Sequence, residues 1–157
     1  MGRAQCLGQL GSISIERLKL ALEENADEDT LLHHFNDAVR FYEAALDLEP
    51  ADAITNRATS HNQLGIAYMY SRVDQEKALA HFEMASRYFE ASGDVFEDAG
   101  ARLNAAQILQ RLSRLHEARE YAREALALFL SGQDTSLVTY VQELLVELDR
   151  QIETAQN

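Results

Sequence analysis

The sequence predicts an all-α fold of three antiparallel helix pairs followed by a single capping helix. Three observations carry that prediction. The chain repeats itself: Ala38, Tyr42 and Ala45 recur as Ala78, Phe82 and Ala85, and again as Ala118, Ala122 and Ala125, at an offset of 40 residues without a gap. Two small residues seven apart lie nearly on one helix face, where a neighbouring helix approaches closely. Turn chemistry closes the second helix of each pair, at Glu49-Pro50-Ala51-Asp52, Ser92-Gly93-Asp94 and Ser131-Gly132-Gln133-Asp134. Between these breaks, small and large apolar residues fall in stripes of helical period.

Pair one runs from Ala4 to Asn25 and from Thr30 to Leu48. Its first helix distributes Leu7, Leu10, Ile13, Ile15, Leu18, Leu20 and Leu22 around the axis. That is too much apolar surface for one neighbour to cover, which predicts a homodimer through the N-terminal pair. Pair two runs from Ile54 to Tyr70, with Leu64, Gly65, Ala67 and Tyr68 on its stripe, and from Gln75 to Ala91. Asp74 is placed to cap the second of these helices through its side-chain oxygen. Pair three runs from Phe96 to Leu112, carrying Ala105, Ala106, Ile108 and Leu109, turns at Ser113-Arg114-Leu115, and continues from His116 to Leu130. A seventh helix from Thr135 to Glu153 sets Leu137, Val141, Leu144, Leu145 and Leu148 toward the open end of pair three. Glu143, Glu147, Asp149 and Arg150 face water. An open stack of pairs requires such a cap. The whole chain, 1–157, thus parses as one domain with repeats 4–50, 51–92 and 93–132 and a cap over 135–153.

Composition bounds the function. With 157 residues, 46% hydrophobic and 25% charged, the chain is one ordinary globular domain that needs neither disulfide nor metal to fold. Cys6 is its only cysteine, which excludes an intrachain disulfide and a cysteine zinc site and points to a reducing compartment, the cytoplasm. The 14 Lys and Arg stand against 26 Asp and Glu, a formal net of -12. An acidic chain without a basic run is a poor partner for nucleic acid or for an anionic membrane. No apolar stretch is long enough to span a bilayer, and the N-terminus lacks the basic start and apolar core of a signal peptide.

These residues resemble the tetratricopeptide repeat family. Leu64-Gly65 followed by Tyr68, Ala78, Phe82 and Ala85 matches the family's order of leucine, small residue, aromatic, alanine, aromatic, alanine. Ala38, Tyr42, Ala45 and Pro50 match its second half with the terminal proline, and Ala106, Ala118 and Ala125 match a third copy. The resemblance covers Leu31 to Leu130 and implies a tetratricopeptide-like α-solenoid. The 40-residue spacing exceeds the family's usual length of about 34. It is similar to the longer-helix branch of kinesin light chains and of sensor arrays in bacterial signal-transduction NTPases, where openings like Asn62-Gln63-Leu64-Gly65 are common. Pair one departs further. Taking Leu10-Gly11 as its Leu-Gly element, Gly11 to Ala38 spans 27 residues against 13 from Gly65 to Ala78, so either the first helix is extended or its loop is enlarged.

The resemblance implies a protein-interaction scaffold that binds a peptide or a helical segment in a concave groove lined by the first helix of each pair. Carried over by register, the groove positions are Asn62, Ile66, Met69 and Tyr70 in pair two and Leu103, Asn104, Gln107, Gln110 and Arg111 in pair three. Asparagine offers both donor and acceptor to an extended backbone. The carboxylate clamp of chaperone-binding members matches only at Arg102, Asn104 and Arg111, without the first-repeat lysine, so an Asp-rich tail is not the expected ligand. The alternative class is a structural, oligomerising or sensor piece of a larger bacterial signalling NTPase.

Catalytic readings find little footing. His33 and Asp37 lie one helical turn apart with His34 beside them, but two ligands do not make a metal site, and His61, His81 and His116 share no spacing with them. Cys6 has no positioned base in sequence, and Leu7-Gly8-Gln9-Leu10-Gly11 lacks the lysine and preceding strand of a phosphate loop. Glu23-Glu24 and Asp27-Glu28-Asp29 read as a solvated turn. The expectation is therefore binding without catalysis, with no cofactor and no metal.

Overall fold

A computed structural model describes residues 2–132 and 137–156. Among the described residues there are seven helices and no strand: α1 (Arg3–Glu23), α2 (Glu28–Leu48), α3 (Ile54–Ser71), α4 (Gln75–Ser92), α5 (Val95–Arg111), α6 (Leu115–Ser131) and α7 (Val138–Ala155). Apart from the start of α7, every described helix end lies within two residues of its predicted place. The predicted start of the last helix at Thr135, and Gln133-Asp134 of the break before it, lie outside the described residues. The chain divides into two compact units, Met1–Ala85 and Ser86–Asn157, with the division inside α4.

In the first unit α1 packs along α2, and α3 lies against both. The seam is built as the repeat predicts, with Ala38, Ala45, Ala78 and Ala85 wholly buried. Two glycines let aromatic rings reach the first helices. A Cβ on Gly11 would fall 2.5 Å from Cε2 of Tyr42, and one on Gly65 would fall 2.7 Å from Cε1 of Phe82. Gly11 therefore stands to Tyr42 as Gly65 stands to Phe82, which fixes the register of pair one. Its extra length goes into helix on both sides of the turn. Helix α1 continues twelve residues past Gly11, against six from Gly65 to the end of α3, and α2 begins ten residues before Ala38, against three for α4 and Ala78.

Helix α1 is covered on one side only. Ile15 and Leu18 are buried and Leu7 and Leu22 half-buried, while Leu10, Ile13 and Leu20 remain exposed at 44%, 49% and 52%. No helix among the described residues is long and apolar enough to cross a membrane.

Helix ends follow the local chemistry. Asp27, Asp74 and Asp94 accept the backbone N–H groups of Thr30, Lys77 and Glu97, each satisfying one orphan donor of a first turn. Gly93 ends α4 in the left-handed region at φ 76°, where the N–H of Asp94 reaches back to the carbonyl of Phe89. Asn25 and Ser113 close α1 and α5 with the same geometry, although neither is glycine.

In the second unit α5 packs on α6 and α6 on α7. Ala118, Ala122 and Ala125 are wholly buried, as are Ala99, Ala105 and Ala106 of α5. Helix α7 buries Val141, Leu144, Leu148 and Ile152, and leaves Leu137 and Leu145 half-covered. Glu143, Asp149 and Arg150 face solvent. Glu147 is half-buried and accepts hydrogen bonds from Arg150 and Gln151.

Candidate functional site

The residues named by register divide into three groups. Met69 and Leu103 are buried, at 8% and 4%, and serve packing rather than a solvent-facing groove. Helix α5 explains why: Ala99, Ala101, Leu103, Ala105, Ala106, Ile108 and Leu109 are buried on almost every side of it, leaving a narrow polar strip. On that strip Gln107 donates to the Tyr140 hydroxyl at 2.9 Å and Gln110 donates to Oε1 of Gln151 at 3.2 Å, so both amides are engaged by α7. Asn104 is half-buried and Arg111 exposed. On α3, Asn62 and Ile66 are half-buried and Tyr70 is exposed, with Nζ of Lys19 5.4 Å from its ring centroid. The Oδ1 of Asn62 is buried and accepts no hydrogen bond.

The first unit holds a cavity of about 570 Å³ between α1 and α3. Helix α1 contributes Gln5, Gly8, Gln9 and Ser12, and α3 contributes Asn56, Thr59, Ser60 and Gln63. Tyr42 of α2 and Glu49, just past its end, close it. The Tyr42 hydroxyl lies 2.7 Å from Oγ of Ser12, and burial pushes its phenol up against the opposing effect of that hydrogen bond. Ser60 donates to Oε1 of Glu49 at 3.0 Å, whereas Oε2 of Glu49 is buried and accepts nothing. Arg57 directs Nη1 at the backbone carbonyls of Leu46 and Glu49. The lining therefore consists of uncharged amides, hydroxyls and small residues around one carboxylate. Sequence reading by register did not single these residues out. The available signal was the run of uncharged polar residues at 5, 9 and 12 and at 56, 59 and 63, each spaced to share a helix face.

The second unit has a cavity of about 350 Å³ walled by Phe89, Val95, Ala127 and Leu128. Its polar end is internally paired. Asp98, 3% exposed, accepts from Oγ of Ser86 and from Nε of Arg102, and Arg102 also meets Glu124 and Glu90. Burial works against the guanidinium charge, and the hydrogen bonds and charges of Asp98 and then Glu124 more than offset it, holding Arg102 above its ordinary value. Arg102 is thus committed within its own unit rather than presented as a clamp.

In the first unit Nδ1 of His61 and Nδ1 of His81 are 3.1 Å apart, and His81 stacks on Tyr68. Burial, then repulsion from His81 and Arg57, lowers His61 to about 4. Both rings are therefore neutral near pH 7. His33 lies 3.6 Å from Asp37 with its ring against His34, and no three His, Cys, Asp or Glu side chains among the described residues gather to hold a metal ion. Neither a family model nor a curated protein matches the sequence.

Proposed function

We propose that the chain is a tetratricopeptide-like interaction module that binds a peptide or helical segment of another protein, without catalysis. The observation that carries the reading is the polar cavity between α1 and α3. These are the first helices of pairs one and two, the side on which the resemblance puts the groove. Amides and hydroxyls there suit an extended backbone, whose own polar groups must be paired once they leave water. The first helices further along offer Asn62 and Tyr70 on α3 and Asn104 and Arg111 on α5. Interface energy concentrates in aromatic and arginine residues. The test is the Asn104→Ala, Arg111→Ala double variant, compared with wild type for melting temperature and for partners recovered from source lysate. The expected result is unchanged melting and lost recovery. Normal folding with every partner retained would overturn the assignment of these residues.

A second reading, an oligomerising piece of a larger signalling protein, is favoured by one observation: Leu10, Ile13 and Leu20 form an exposed apolar line on α1. On that reading the first pair is a homodimer surface. Sedimentation showing a monomer at high protein concentration would reject it, and Leu10→Glu, Ile13→Glu should dissociate whatever dimer forms.

A further inference from the structure

We propose that the cavity between α1 and α3 binds an ammonium or guanidinium group, with the Glu49 carboxylate as its anchor. This deepens the interaction-module reading and rests on it in one respect, namely that the cation is carried by a lysine or arginine of a partner segment. Three features of the first unit converge on this chemistry. Among the described residues, Glu49 is the only carboxylate lining the cavity, and no lysine or arginine lines it. One carboxylate oxygen is held by Ser60 while the other is buried without a donor. An unsatisfied buried oxygen is unfavourable, more so on a charged group, and a cationic N–H is the strongest donor it can meet. The outer torsion of glutamate is broad and roughly two-fold, so rotation about that bond can aim a carboxylate oxygen at the cavity.

The surroundings suit a cation on a polar chain. Gln9, Thr59 and Gln63 line the cavity with uncharged donors and acceptors, which can pair peptide groups flanking the basic side chain. A volume of about 570 Å³ falls within the range of ordinary ligand sites. The net charge of -12 draws cationic partners from a distance. Beside the smaller cavity of the second unit, Arg102 already occupies the carboxylate of Asp98.

The proposal is tested by titrating the ¹⁵N-labelled full chain with three probes. These are an acetylated, amidated Gly-Ser-Arg-Ser-Gly peptide, the same peptide with citrulline replacing arginine, and free agmatine. The arginine peptide should shift the amide signals of Gln9, Thr59 and Gln63 saturably. Loss of the charge, either by citrulline in the probe or by Glu49→Gln in the protein, should weaken binding about tenfold or more. Gly8→Leu provides an independent variant that leaves Glu49 alone. A Cβ there meets no heavy atom within 4 Å, so the side chain fills the cavity from α1 and should abolish the shifts without lowering the melting temperature. Equal affinity for the citrulline and arginine peptides, unchanged affinity in Glu49→Gln, or no saturable shift with any cationic probe would overturn the proposal. Agmatine binding as tightly as the arginine peptide would uphold the cation site and count against the peptide-binding reading, so the two failures are distinguishable.

Discussion

Glu49 in the first unit and Asp98 in the second are both carboxylates anchored by a serine hydroxyl, yet they end in opposite states. Asp98 receives Ser86 and Arg102 on one oxygen, and Arg102 is in turn held by Glu124. The carboxylate of Glu49 receives Ser60 on one oxygen and keeps the other buried without a donor beside a polar cavity, while Arg57 reaches only its backbone carbonyl. The difference separates two uses of buried charge. A carboxylate whose partners are all internal belongs to the fold, and removing it takes the most buried counter-charge from Arg102. One left half-paired contributes a single hydrogen bond to the fold, and on the proposal above it anchors a ligand.

The largest effect should come from breaking the satisfied network. Asp98→Ala removes the most buried of the three acids that hold Arg102 and leaves the Ser86 hydroxyl without its acceptor, and should lower unfolding free energy by about 3 kcal/mol in urea titrations. Glu49→Gln should change it by no more than about 1 kcal/mol, because only one hydrogen bond to Ser60 is altered. Equal losses in the two variants would erase the contrast.

Tolerance at Glu49 is not general looseness of the first unit. Ala85 is wholly buried at the helix seam, so Ala85→Leu should cost about 1–3 kcal/mol through overpacking. An unchanged melting temperature would mean that the 40-residue register is misassigned.

Acid should sharpen the comparison further, because the half-buried groups of the two units respond with opposite sign. His61 has a folded value of about 4, below its ordinary 6.5, so its contribution to stability is full above pH 6.5 and is lost as pH falls toward 4. His81 is lowered in the same direction by burial and by Lys77. Glu97 of the second unit is raised, by burial and then by Asp94, so acid relieves rather than adds strain there. Melting temperature should therefore fall between pH 7 and pH 5, and His61→Gln should flatten that dependence. A His61→Gln profile parallel to wild type would remove the histidine pair as the cause.

The smallest effect is expected at the surface of the second unit. Tyr140→Phe removes only the exposed hydrogen bond from Gln107 and should cost at most about 1 kcal/mol by thermal melting. A loss as large as that of Asp98→Ala would place Tyr140 among the groups on which folding depends.

The fold was legible because its signals are local. Alanines seven apart, aspartates three residues before a first-turn N–H, and Gly93 after α4 each act within one or two turns of their own helix. The candidate site was legible only in part. Register placed Met69 and Leu103 at a groove, although the neighbours of each helix bury them. It put Gln107 and Gln110 there too, although their partners Tyr140 and Gln151, 33 and 41 residues further along the chain, engage them.

By itself, then, the sequence determined the seven helices of the described residues, their ends other than the start of α7, and the small-residue seams, since these depend on a 3.6-residue period and on side chains close in sequence. Tertiary structure alone decided that pair one takes up its extra residues as helix, that Tyr42 seats on Gly11, and that Arg102 is held by acids from three helices. It also decided that Glu49 keeps an unpaired oxygen beside a polar cavity. Whether a polar atom finds a partner depends on which distant side chains displace its water, and helical period carries no information about that.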